Sequence, residues 1–95
     1  MFLLLSRFMV PPSQVADQTE AHRVWVRAHA DAGHFVAGGP EVPYQGAVIA
    51  AVGVTRDELN TWIKDDPFVV HGLAQYDIRE YDIVLAGPGA EALQG

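Results

Sequence analysis

The chain has 95 residues, of which 49% are apolar, so it has the size and composition of one small globular domain. Its formal net charge is −6 and its six lysines and arginines are scattered, which excludes the positive surface that nucleic acid or an anionic membrane requires. It has no cysteine, which excludes disulfides, thiolate chemistry and zinc–thiolate sites.

The N-terminal third predicts a strand followed by a helix. Phe2–Val10 is a short apolar run that ends at Pro11-Pro12, as a buried strand does. Its start lacks the basic residues and the length of a signal peptide, and no stretch approaches a transmembrane helix, so we expect a cytoplasmic protein. Ser13 is a candidate N-cap, and Val15–Ala32 predicts a helix that Gly33 ends.

The predicted helix has an unusually polar inner face. At about 100° per residue, one face contains Val15, Gln18, Thr19, His22, Trp25, Val26 and His29. The opposite face contains Asp17, Glu20, Arg27 and Asp31. We therefore expect His22 and His29 on the side that faces the core or a cleft.

The middle of the chain predicts two strands and a loop. Phe35–Ala37 is a short strand that leads into a turn at Gly38-Gly39-Pro40. Glu41–Gln45 is a loop that can cover a pocket, and Gly46–Gly53 is small and apolar, as expected for a central strand.

The second half of the chain begins with a clear helix signal. Thr55 and Glu58 have the spacing of a capping box, which predicts a helix through Lys64. Asp66 directly precedes Pro67, so it leaves the helical region and is a candidate cap for the short segment Pro67–Gly72.

The C-terminal segment predicts the last strand, over Ala74–Leu85, with a bulge or twist near Glu80. The tail from Gly87 onward is expected to fray. The resulting order βαββαβ predicts one α+β domain over residues 1–95, ferredoxin-like, with a four-stranded antiparallel sheet and helices on one face. Since the chain has nothing left to cover the other face, we expect a homodimer or a higher homo-oligomer.

Few polar residues are candidates for chemistry. His22 and His29 lie about 10.5 Å apart along the helix axis, too far to share one metal ion, and no ligand cluster indicates a metal or another cofactor. Neither Ser6 nor Ser13 lies in a nucleophile elbow. His22 is therefore the candidate acid or base, with a packed, hydrogen-bonded histidine as the alternative.

Six short motifs also occur in an order that spans most of the chain. They are Glu20-Ala21-His22, Gly39-Pro40, Gly46, Asp65-Asp66-Pro67-Phe68, Gly72 and Ile78-Arg79-Glu80-Tyr81. In this order they resemble the YciI-like (YCII-related) family of the dimeric α+β barrel superfamily. The resemblance implies a sheet that packs against a partner's sheet and a His–Asp acid–base pair, at His22 and Asp66. The chain departs from the family pattern at Arg23, usually Leu, and at His29, usually apolar.

The resemblance also implies a function. Related dehydrochlorinases and muconolactone isomerases suggest a lyase or isomerase that moves protons on a small cyclic or phenolic molecule, neutral or monoanionic. The expected pocket residues are Arg23, Trp25, His29, Gly39, Pro40, Tyr44 and Phe68. Two alternatives stay open: a non-catalytic small-molecule-binding or structural dimeric module, and a haem or metal protein with His22 or His29 as ligand.

Overall fold

Four strands and three helices make up the core of the fold. In the computed structural model, which describes residues 1–94, the strands are β1 (Phe2–Phe8), β2 (Phe35–Pro40), β3 (Gly46–Ala51) and β4 (Ala74–Glu80). The helices are α1 (Ala16–Asp31), α2 (Arg56–Ile63) and α3 (Pro67–Val70), with 3-10 turns at Pro12–Gln14 and Glu91–Gln94. The strands form one antiparallel sheet in the order β2-β3-β1-β4, which confirms the predicted ferredoxin-like fold. Gly95, the last residue of the predicted tail, lies outside the described residues.

The helices pack on one face of the sheet because alternate strand residues are apolar there. Phe2 and Leu4 of β1 pair with Ala51 and Ile49 of β3, and all four are buried. Leu59 of α2, which has no exposed surface, belongs to the same cluster. The core thus lies between the sheet and the helices. No helix in the described part of the chain is long and apolar enough to cross a membrane.

The opposite face of the sheet is apolar at its centre. Leu3 pairs with Ala50 and Leu5 pairs with Val48, so the four side chains point away from the helices. Val48 is 37% exposed and the other three are partly exposed. This is the face that the sequence predicts to be covered by a second copy of the chain.

The edge strand β2 differs from the prediction, because Gly38-Gly39-Pro40 extends the strand and does not turn. These residues pair with Ile49, Val48 and Ala47 of β3. A Cβ atom on Gly38 would lie 2.7 Å from the carbonyl oxygen of Val48, so glycine permits the close approach. Pro40 is tolerated because β2 is an edge strand.

Strand β4 pairs with β1 in one register from Ala74 to Glu80, so the bulge predicted near Glu80 is absent there. The register shifts in β2 instead, between Phe35 and Ala37. Strand β4 ends at Glu80 and does not continue to Leu85. The reason is that β1 starts at Phe2, so the chain beyond Tyr81 has no strand to pair with.

The two long helices begin in different ways. Helix α1 does not use Ser13 as its cap: it follows the 3-10 turn and has Val15 at the N-cap without a side-chain hydrogen bond. Helix α2 has the predicted capping box, in which Thr55 and Glu58 each accept from the other's backbone N–H.

Candidate functional site

The site is built around the corner between α2 and α3. Asp66 has an extended backbone, as expected before proline, and occupies the N-cap of α3. Its Oδ1 accepts a hydrogen bond from the backbone N–H of Phe68 at 3.0 Å. The predicted cap is therefore present, and it holds a carboxylate with no exposed surface.

His22 reaches the same carboxylate from α1. Its Nδ1 lies 2.7 Å from Asp66 Oδ1, and its side chain is 12% exposed. Because an ionised carboxylate only accepts, Nδ1 carries the hydrogen and Nε2 is left free of this bond. The ring also stacks on Phe68, with centroids 4.2 Å apart and planes at 11°. His22 is thus fixed by one hydrogen bond and one stacked ring.

Tyr76 on β4 is a third partner, which the sequence reasoning missed. Its hydroxyl donates to Asp66 Oδ2 at 2.6 Å. Burial raises the pKa of Tyr76, and the neighbouring Asp66 charge raises it further, so the hydroxyl stays protonated and acts as a donor. The available signal was strand alternation: Tyr76 shares the inward face of β4 with Ala74, and an inward tyrosine needs a partner for its hydroxyl.

Asp66 therefore accepts hydrogen bonds from three donors. Among the ion pairs of residues 1–94, none joins Asp66 to a lysine or an arginine. Such a fully bonded carboxylate is held in one orientation, and it orients His22 in turn.

A cleft of about 1030 Å³ opens beside His22, between α1 and β2. Six of the predicted site residues line it: His22, Arg23, Gly39, Pro40, Tyr44 and Phe68. Their surroundings are mostly apolar and aromatic, since the Phe8 ring stands edge-on to both Tyr44, at 4.8 Å, and Phe68, at 5.7 Å. An apolar cleft with a few polar groups is the usual composition of a small-molecule site.

Trp25 and His29 do not line this cleft, in contrast to the prediction. Trp25 is buried in the core, where its ring packs edge-on to Phe35 at 5.5 Å. His29 stacks on Trp62 of α2 at 4.4 Å, which turns it away from the cleft. Desolvation lowers the pKa of His29, His34 lowers it further, and Asp65 acts in the opposite direction.

Arg27 is a cleft residue that the prediction placed on the solvent-facing side of α1. The structure places Arg27 in the cleft lining, one turn beyond Arg23. The helical projection did not predict this, because the residues of α1 that line the cleft include some outside its apolar stripe, such as Arg27. Within residues 1–94, no group of three or more His, Asp or Glu side chains is arranged to hold a metal ion.

Comparison with known proteins identifies the family. The chain matches the YCII-related domain over residues 1–82. It belongs to the YCII-related family. This YCII-related protein is also similar in structure to 5-chloro-2-hydroxyhydroquinone dehydrochlorinase from Burkholderia phenoliruptrix AC1100, solved in complex with 2,5-dihydroxybenzoquinone. The TM-score is 0.70 at 20% identity, over 85% of this chain and 93% of that chain. The comparison with curated proteins gives no match.

Proposed function

We propose that this YCII-related protein is a proton-transfer enzyme that uses His22 and Asp66 on a small cyclic or phenolic molecule, as a lyase of the dehydrochlorinase type or as an isomerase. The observation that carries the proposal is the 2.7 Å hydrogen bond between His22 Nδ1 and Asp66 Oδ1, at the wall of an open cleft. A positioned histidine paired with a buried carboxylate is a typical general acid–base unit.

The geometry suggests how the pair works. Asp66 holds the hydrogen on Nδ1, so the lone pair of Nε2 is the base that faces a ligand. When Nε2 accepts a proton from a hydroxyl group or a ring carbon of the substrate, the carboxylate stabilises the imidazolium that forms. The electron pair left on the substrate then expels a leaving group as its anion, or moves a double bond. In an isomerisation, His22 returns the proton to a different atom of the same molecule.

The cleft supports a ring-shaped substrate. Its volume is at the upper end of the roughly 300–1,000 Å³ that small-molecule sites occupy. Phe68 stacks on the His22 ring, and Phe8 packs edge-on against both Phe68 and Tyr44. Flat aromatic surfaces therefore lie next to the imidazole that would transfer the proton. The dehydrochlorinase that shares this fold binds a six-membered quinone ring, which is consistent with such a ligand.

The alternative is a binding module without catalysis, and one observation favours it. Asp66 already serves as the cap of α3, and His22 already packs on Phe68, so the pair is satisfied without any substrate. In that case the cleft would bind a small molecule and release it unchanged.

Turnover distinguishes the two functions. A chlorinated hydroxyhydroquinone serves as the first test substrate, with release of chloride and formation of the quinone chromophore as readouts. A positioned acid–base group contributes roughly 10²–10⁴-fold, so His22→Ala should lose about that factor. His71→Gln, at the exposed end of α3, is the matched control and should keep full activity. Equal rates for wild type and His22→Ala would refute the assignment.

We also propose that the protein acts as a homodimer in which a second copy covers the face that carries Leu3, Leu5, Val48 and Ala50. The support is the row of apolar pairs on that face, which water would otherwise contact.

A further inference from the structure

The cleft has a charge opposite in sign to that of the chain. Its lining includes two arginines, Arg23 and Arg27, and one carboxylate, Glu41, which gives a net charge of +1. The whole chain has a net charge of −6, with twelve carboxylates and six lysines and arginines. One third of the positive residues thus line this single cleft, which favours an anionic ligand there.

Both guanidinium groups are available to such a ligand. Arg23 lies 4.0 Å from Glu20, in a pair whose side chains are 73% and 83% exposed. An exposed pair of this kind contributes little and exchanges readily with water or a ligand. Arg27 takes part in no ion pair of the described chain. Neither guanidinium is therefore committed to a buried protein carboxylate.

The positions of these residues along α1 set the layout of the ligand. Arg23 and Arg27 are one turn apart, so their side chains lie on the same side of the helix. Arg27 is five residues beyond His22, about 7.5 Å along the axis. The aromatic residues Phe68 and Tyr44 lie at the His22 end of the cleft. Because His22, Arg23 and Arg27 all line this cleft, a ligand whose ring lies at His22 shares the cleft with both guanidinium groups.

We propose that the ligand of this cleft is a cyclic or aromatic carboxylic acid, whose carboxylate is held by Arg27 and Arg23 while its ring lies against His22. Arginine binds carboxylates in a two-pronged geometry, and two guanidiniums one turn apart can share one carboxylate. Glu41 on the opposite wall disfavours polyanions such as nucleoside phosphates. The reacting role of the ring rests on the function proposed above, whereas the binding of the acid group requires only the cleft.

This inference separates the chain from its structural neighbour. The 2,5-dihydroxybenzoquinone bound by that dehydrochlorinase is a ring without a carboxylate. A carboxylated ring would therefore be a different substrate class on a shared fold.

A matched pair of ligands tests the proposal. 2,5-Dihydroxybenzoate and 2,5-dihydroxybenzamide have the same ring and hydroxyl groups and differ at one substituent, which is an anionic carboxylate in the first and a neutral amide in the second. Isothermal titration calorimetry should show the acid binding about fivefold or more tightly than the amide, because each of two exposed charge pairs contributes up to about 1 kcal/mol. The preference should shrink as salt is added, because these arginines are exposed to solvent.

The variants locate the effect. Arg27→Gln should remove most of the preference for the acid and leave the affinity for the amide within about twofold, because glutamine keeps the stem and loses only the charge. Arg79→Gln is the control, since Arg79 pairs with Asp77 on the opposite face of the sheet. It removes the same charge and should leave the preference unchanged.

The outcomes separate this inference from the proposed function. Equal affinity for acid and amide, or a preference that survives Arg27→Gln, would overturn the carboxylate site and leave proton transfer by His22 untouched. Arg27-dependent binding of the acid together with full turnover in His22→Ala would support the site and refute the enzyme mechanism. Failure of both ligands to bind at millimolar concentration would overturn the inference.

Discussion

Replacing Tyr76 by phenylalanine tests the geometry of the buried carboxylate directly. The substitution removes one oxygen atom and leaves the ring that packs under α1. The lost hydroxyl donates to Asp66 Oδ2 at 2.6 Å, and Asp66 has no exposed surface, so water cannot take its place without rearrangement.

The expected cost follows from the charge of the acceptor. A hydrogen bond to an ionised group contributes about 1.5–3 kcal/mol, compared with about 1 kcal/mol between neutral groups. Tyr76→Phe should therefore destabilise the protein by about 2 kcal/mol. In a chain of this size, that corresponds to a decrease in Tm of roughly 8–16 °C.

The assay is urea unfolding, followed by circular dichroism at one fixed protein concentration so that any association is held constant. Tyr81→Phe is the matched control, since Tyr81 is 47% exposed and its hydroxyl forms no hydrogen bond within residues 1–94. It should stay within about 0.5 kcal/mol of wild type. A similarly small effect for Tyr76→Phe would contradict the claim that its hydroxyl bonds a buried carboxylate.

Two further predictions concern pH and assembly. Burial and His34 lower the pKa of His29 below its ordinary value of 6.5, so the unfolded chain binds this proton more readily than the folded one. The contribution of His29 to stability should be complete above pH 6.5 and decrease as the pH falls below that value. His29→Gln should therefore flatten the pH dependence of the urea midpoint. An unchanged pH dependence in this variant would refute the lowered pKa of His29. Leu5→Lys on the apolar sheet face should convert a dimer to a monomer in analytical ultracentrifugation. Gln75→Lys, on the same face but on the edge strand β4, is the control and should leave the dimer intact. A monomeric wild-type protein would refute the dimer.

The fold could be predicted because it depends on local patterns. The order of strands and helices follows from hydrophobic periodicity, and the cap of α2 follows from the spacing of Thr55 and Glu58. The path of Gly38-Gly39-Pro40 could not be predicted in the same way. Those residues favour a turn locally, but pairing with β3 holds them in a strand.

The site was only partly predictable, because its contacts join residues that are distant in sequence. Asp66 was singled out because it precedes a proline, and its pairing with His22 was implied by the family resemblance. In the structure, His22 Nδ1 lies 2.7 Å from Asp66 Oδ1. Tyr76 belongs to no motif, and its contact with Asp66 depends on the register of β4 against β1. The helical projection located one broad face of α1. It did not separate the part that faces α2, with His29, from the part that faces the cleft.

The double role of Asp66 determines which substitutions are informative about function. Its Oδ1 accepts from both the Phe68 N–H and His22 Nδ1, so the same atom caps α3 and orients the histidine. Asp66→Ala therefore removes a cap worth about 0.5–2 kcal/mol whether or not the protein is an enzyme. The His22 side chain, in contrast, bonds the Asp66 side chain and caps no helix. Asparagine at position 22 can keep a donor for Asp66, because its Nδ2 is bonded to Cγ as the histidine Nδ1 is, while it loses the basic ring nitrogen. A folded His22→Asn variant without turnover would therefore assign proton transfer to that nitrogen.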